Sequence, residues 1–168
     1  VAGGGTLPAD LRPRALELAG GHDAHILIVP WASRREEAGS SSAAVWQQAG
    51  ATEVTVIPDD ATEARKAIED TDLMWLVGGS QVRLMDAFRE RDLIEAVRKS
   101  HSQGTIIAGT SAGAAVLSHY MMTGKAELKS LTRGSTELVE GLGLWQGVIV
   151  DQHFRQRDRL GRLLDRKS

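Results

Sequence analysis

Gly109-Thr110-Ser111-Ala112-Gly113 fits the pattern G-x-S-x-G, an arrangement that can turn a serine hydroxyl into a nucleophile. A buried strand at Thr105–Ala108 is expected to lead in, and a small-residue helix at Ala112–Leu117 to lead out. A sharp strand-to-helix turn exposes the hydroxyl, and flanking glycines leave room where the backbone crowds. The helix N-terminus then aims N–H groups, including that of Ala112, at a developing oxyanion. The same residues would also serve as a tightly packed junction or an anion-holding turn, so the pentapeptide alone leaves both roles open.

A serine nucleophile needs a base, and the chain has five histidines, His22, His25, His101, His119 and His153. His22 falls in a turn and His101 near a helix end, where solvated histidines are common. His25 opens a strand at the edge opposite the serine. His119 follows Ser111 by about two turns on the same expected helix, too far for its ring to return. His153 stands just past the apolar run Val148–Val150, on the same sheet edge as Ser111, and is the candidate base.

The elements that must hold these residues are legible as five apolar runs. They are His25–Val29, Val54–Ile57, Leu73–Val77, Thr105–Ala108 and Val148–Val150. Each is continuous rather than alternating, the pattern of strands buried on both faces. Helical stretches separate them, and Ser33 with Glu36, Asp60 with Glu63 and Asp92 with Glu95 resemble capping boxes. Strand–helix alternation implies a parallel sheet covered on both sides, whose ligands bind at the carboxyl ends of the strands. That edge comprises residues 30–33, 78–81, 109–113 and 151–153. Residues 123–143 are less regular and read as a loop, hairpin or short helix. Trp46, Trp75, Trp145 and Met121-Met122 read as packing residues, the methionines closing the nucleophile helix.

Composition narrows the function. The 168 residues suit one domain with a real core, and 20 Lys+Arg against 22 Asp+Glu give a net charge of −2. A nearly neutral chain lacks the basic footprint of general nucleic-acid binding. Without cysteine there is no disulfide, thiolate metal site or cysteine nucleophile. No run approaches the ~20 apolar residues of a membrane span. Gly3-Gly4-Gly5 is not a dinucleotide fingerprint, because Pro8 stands where the third glycine of G-x-G-x-x-G belongs.

Three segments together resemble a known family. Gly78-Gly79-Ser80-Gln81 precedes a helix, Ser111 sits in its pentapeptide, and Asp151-Gln152-His153-Phe154 is followed by Arg157, Arg159 and Arg162. With Pro30-Trp31-Ala32-Ser33 and the opening glycines, the chain is similar to cyanophycinase and related serine peptidases that include peptidase E. The Asp-Gln-His-Phe segment with its arginines points to the cyanophycinase branch. The resemblance implies an α/β fold: a three-layer, flavodoxin-like, mostly parallel sheet of the class I glutamine amidotransferase type, with helices on both faces. It implies Ser111 as nucleophile, His153 as general base and the N–H groups of Gly79 and Ala112 as oxyanion hole. Gln81, Asp151, Gln152, Arg157, Arg159 and Arg162 would line the substrate site. No metal or organic cofactor is implied. The implied substrate is a β-Asp-Arg polymer or related aspartyl peptide. An aspartyl or isoaspartyl dipeptidase, or a non-catalytic ligand-binding homologue, stands as the alternative. No nucleic-acid or membrane partner is expected, a homodimer is left open, and a cytoplasmic location is favoured over secretion.

Two departures from the family pattern stand out. Ser80 occupies a position where the family usually has Asp, which puts substrate binding or loop geometry in doubt. The acidic residue that orients the family's histidine is a Glu beyond the arginine segment, and the chain stops 168 − 153 = 15 residues after His153. Together with the opening Val1, this leads to the expectation that residues 1–168 are one peptidase domain lacking the start of its first strand and its C-terminal strands. Asp151 could replace the missing acid only if residues i and i+2 share a strand face. If residues 154–166 are helical, Arg155, Arg159, Arg162 and Arg166 form one stripe. Arg157 then falls at the apolar edge, where it calls for a carboxylate partner.

Overall fold

The computed structural model describes residues 2–123 and 137–153. Four parallel strands make the central sheet: β1 (His25–Val29), β2 (Glu53–Val56), β3 (Leu73–Leu76) and β4 (Ile106–Gly109), in the order β2-β1-β3-β4. This is the expected parallel α/β sheet, and the continuous apolar runs have a direct explanation. Ile26 and Ile28 of β1, with Leu73 and Trp75 of β3, pack to one face, where Leu16 and Trp46 complete a core. Leu27, Val29, Met74 and Leu76 pack to the other, against Ile68, Leu84, Phe88 and Val97. Alternating side chains thus enter two different cores, so neither set can be polar.

The helices follow from that division. α1 (Leu11–Ala19) and α2 (Ala38–Gln48) supply Leu16 and Trp46 to the first core. α3 (Ala61–Glu69), α4 (Gln81–Glu90) and α5 (Ile94–Ser102) cover the second. Trp46 and Trp75 meet edge to face at 5.3 Å between ring centroids, as core residues do. Among the described residues, no helix is long and apolar enough to cross a membrane.

Several sequence expectations are corrected. Of the three capping boxes only Asp60 caps, accepting from the backbone N–H groups of Thr62 at 2.9 Å and Glu63 at 3.0 Å. Ser33 accepts from Arg35 N in a turn, and α2 begins later, behind Glu37. Asp92 takes a left-handed φ of 51°, and Leu93, not Asp92, precedes α5. The helix after Ser111 is a single turn, α6 (Ala112–Ala115), so His119 is not on it. Met121 and Met122 are buried in β5 (Tyr120–Met122), which pairs antiparallel with β6 (Leu138–Glu140). β6 thus falls inside the stretch expected to be irregular, of which residues 124–136 lie outside the described residues.

The fifth expected strand is also absent. Residues 148–150 join no ladder, because the amide of Val150 is taken by the Ser118 side chain at 2.9 Å. Ile149 is 42% exposed and Trp145 46%, so neither packs as a central strand or core residue would. The neighbour of β4 is instead the N-terminal segment, through a parallel bridge between Ala2 and Thr110.

The caps give a stability test. Asp60→Ala is expected to lower unfolding free energy by about 1 kcal/mol in urea titrations, whereas Ser33→Ala, which caps nothing, stays within about 0.5 kcal/mol. Equal effects of the two substitutions would contradict the assignment.

Candidate active site

Ser111 is separated from the end of β4 by Thr110 alone and immediately precedes α6, with φ 53° and ψ −113°. A left-handed φ is uncommon for a residue with a Cβ and costs of order 1–3 kcal/mol, so the surroundings must impose it. They do so by close approach. A Cβ on Gly109 would meet the backbone of Gly113, and one on Gly113 would meet the backbone of Leu76 in β3. The two glycines of the pentapeptide therefore let α6 sit directly on the strands, and the turn between them has no slack. Ser111 N donates to Ala2 O at 3.0 Å, fixing the turn from the other side.

His153 reaches this serine across 42 residues, with Nε2 2.9 Å from Ser111 Oγ. In the Nδ1–H tautomer Nε2 accepts the hydroxyl proton, the geometry of a general base on a nucleophile. Gln152 reaches the same hydroxyl, its Oε1 lying 3.3 Å from Ser111 Oγ, and it is buried. Adjacent residues of an extended chain point apart. The left-handed φ of 53° at His153 turns the chain, so that both side chains meet Ser111. The same turn removes the premise for Asp151 as a substitute acid, since residues 151–153 are not a strand with a shared face. Asp151 is half-buried two residues before His153.

The second wall of the site is the turn after β3. Gly79 has φ 151°, and a Cβ there would come within 3.0 Å of the Ala32 carbonyl and Ser33 N. Ser80 N donates to Ala32 O at 2.8 Å and Arg83 Nη1 to the same oxygen at 3.0 Å. The turns after β1 and β3 are thus interlocked at the switch point of the sheet, where such folds place their ligands. Trp31 leans edge-on against Phe88, and the Arg91 guanidinium lies over its ring at 4.7 Å. Among the described residues no backbone carbonyl accepts from Gly79 N or Ala112 N.

The structure brings together Ser111, His153 and Gln152 around one hydroxyl, with Gly78 packed against the serine Cβ. It places Gln81 differently: buried, with Nε2 donating to Met122 O at 2.6 Å, a tie between α4 and β5. Arg157, Arg159 and Arg162, with Arg155 and Arg166, lie outside the described residues. Two features escaped the sequence reading. Ser80 is the N-cap of α4, accepting from Arg83 N at 3.3 Å. Because Ser and Asp are comparable N-caps, the replacement of the family's usual Asp leaves the helix start intact. The other feature is the N-terminal glycine run. Its Gly3 carbonyl accepts from His153 N at 2.7 Å, and only the pairing of distant segments could reveal it.

Peptidase family S51 matches residues 2–166. The chain belongs to that family. It is 34% identical over 167 residues to a cyanophycinase of Geminocystis herdmanii, covering 95% of this chain and 61% of the relative. It is also 34% identical over 154 residues to a cyanophycinase of Trichormus variabilis, covering 87% and 52%. The S51 chain therefore spans about half to three-fifths of the length of these curated relatives. A peptidase from an acI-B1 Actinobacterium superposes with a TM-score of 0.67 at 24% identity, over 92% of this chain and 67% of that one. A putative peptidase E from Listeria monocytogenes gives 0.59 at 18%, over 80% and 69%. Both share the fold, the class I glutamine amidotransferase type expected from the sequence.

The elbow yields a test that does not depend on substrate. Ser111→Gly is expected to raise unfolding free energy by about 1 kcal/mol through release of backbone strain, while Ser111→Ala keeps the strain and gains little. A glycine variant no more stable than the alanine variant would show that the turn is relaxed.

Proposed function

We propose that this chain carries the nucleophile and general base of a serine peptidase that hydrolyses a β-Asp-Arg polymer or a closely related aspartyl peptide. The observation that carries the reading is the 2.9 Å contact between Ser111 Oγ and His153 Nε2. A strained, backbone-locked serine aimed at an imidazole is an expensive arrangement for a merely structural turn. Family S51 membership and the cyanophycinase relatives support the substrate class.

In this mechanism Ser111 Oγ attacks the scissile carbonyl while His153 takes its proton. The oxyanion is held by the N–H groups of Gly79 and Ala112, two donors that no described backbone carbonyl engages. Collapse of the tetrahedral species breaks the C–N bond, and His153 returns the proton to the departing amine. Water, deprotonated by the same imidazole, then attacks the acyl-enzyme and releases Ser111. Gln152, which reaches the Ser111 hydroxyl, and Asp151 beside it would line the substrate site, and Arg157, Arg159 and Arg162 would supply cations for the substrate carboxylates. Gln81 serves as part of the wall rather than as a direct ligand, since its amide already holds Met122.

In the full-length protein, Ser111→Ala is expected to remain folded and to lose at least 10³-fold of the hydrolysis of β-Asp-Arg polymer. Unchanged turnover would exclude the mechanism. Rates on polymer and on free β-Asp-Arg and aspartyl dipeptides, compared in the same preparation, resolve the substrate. Faster turnover of the dipeptides would assign a dipeptidase instead.

A further inference from the structure

The residues that place the base against the nucleophile come from neither loop that bears them. The segment Ala2–Gly4 lies between the two. Ala2 N donates to Gly109 O and Ala2 O accepts from Ser111 N, both at 3.0 Å, so Ala2 is fastened to the elbow. One residue later Gly3 O accepts from His153 N at 2.7 Å. Gly4, with φ 105°, lies directly against the imidazole: a Cβ there would fall within 3.0 Å of the Cε1, Nε2 and Nδ1 atoms of His153. The side chain of residue 4 is therefore missing where the ring of the base rests.

We propose that Gly4 is a positioning residue for the base: its bare Cα is the surface on which the His153 ring lies, and the glycine run sets the Ser111–His153 distance. The proposal rests on the reading of Ser111 and His153 as nucleophile and base. Contacts between carbon atoms settle at roughly 3.5–4.0 Å, so a methyl group at residue 4 must push the ring away by about 1 Å. A shift of that size stretches a 2.9 Å hydrogen bond beyond useful range, and a misplacement of 1 Å can cost about 10²-fold in rate. Positive φ also makes Gly4→Ala a strained substitution wherever it occurs. Gly20 provides the matching control, with φ 116° and no atom within 4 Å of its would-be Cβ.

The experiment measures the rate at which a fluorophosphonate probe labels Ser111, split into probe affinity and maximal labelling rate, in four proteins and the unmodified chain. The four are Gly4→Ala, Gly20→Ala, His153→Ala and the double variant Gly4→Ala/His153→Ala. Gly4→Ala is expected to lower the maximal rate by 30- to 100-fold with little change in probe affinity, whereas Gly20→Ala labels within twofold of the unmodified chain. In the His153→Ala background, Gly4→Ala should cost no more than twofold further, because its effect runs through a ring that is no longer there. Normal labelling of Gly4→Ala overturns the proposal, as does an equal loss with and without His153, which would mean that strain or unfolding is the cause. An unmodified, folded chain that takes no label at all would instead remove the serine-peptidase reading on which the proposal rests.

Discussion

The hydrogen bond between Ser111 and His153 is the contact toward which the rest of the chain is arranged. Its two ends lie on segments with no ladder between them, and both residues hold left-handed backbone angles. Such conformations persist only when neighbours over-determine them. At Ser111 the neighbours are Leu76, Gly109 and Gly113, packed without room for an extra methyl group, and at His153 they are Gly3 and Gly4. The parallel sheet supplies the rigid base: β3 and β4 end side by side, delivering the Gly78–Gly79 turn and the serine to one edge.

That division of labour explains which properties can be read from residues in order along the chain. The inner strands were legible because their side chains alternate into two apolar cores, as Ile26–Val29 and Leu73–Leu76 illustrate, whereas β2 lies at the sheet edge with Glu53, Thr55 and Val56 exposed and is not buried on both faces as expected. The sharp turn at Ser111 was legible because its constraint is local: a strand, two glycines and a helix start within a few residues. His153 could be selected by elimination among five histidines, but its support could not be foreseen. An isolated stretch of Val-Ile-Val reads as a strand, and only the tertiary fact that Ser118 takes the Val150 amide shows why it joins no sheet.

The other misreadings share this origin. Ser33 and Asp92 have capping-box spacing, yet tertiary packing starts the helices elsewhere, and Ser80, without the reciprocal acid, is the residue that caps α4. Gln81 entered the site through the family resemblance, and in the fold its amide also ties α4 to β5 through Met122. Polar side chains near an active edge serve either substrate or scaffold, and the division depends on neighbours distant in sequence. At the start of α4 Ser80 can stand in for Asp, since helix capping needs an oxygen rather than a charge.

The central claim is that Ser111 is a nucleophile activated by its contact with His153, and trapping the serine tests it most directly. Intact-mass and peptide-mapping analysis of the folded chain after fluorophosphonate treatment should show a single adduct, on Ser111, forming stoichiometrically. A folded chain that takes no adduct, or takes it on another residue, would contradict the account.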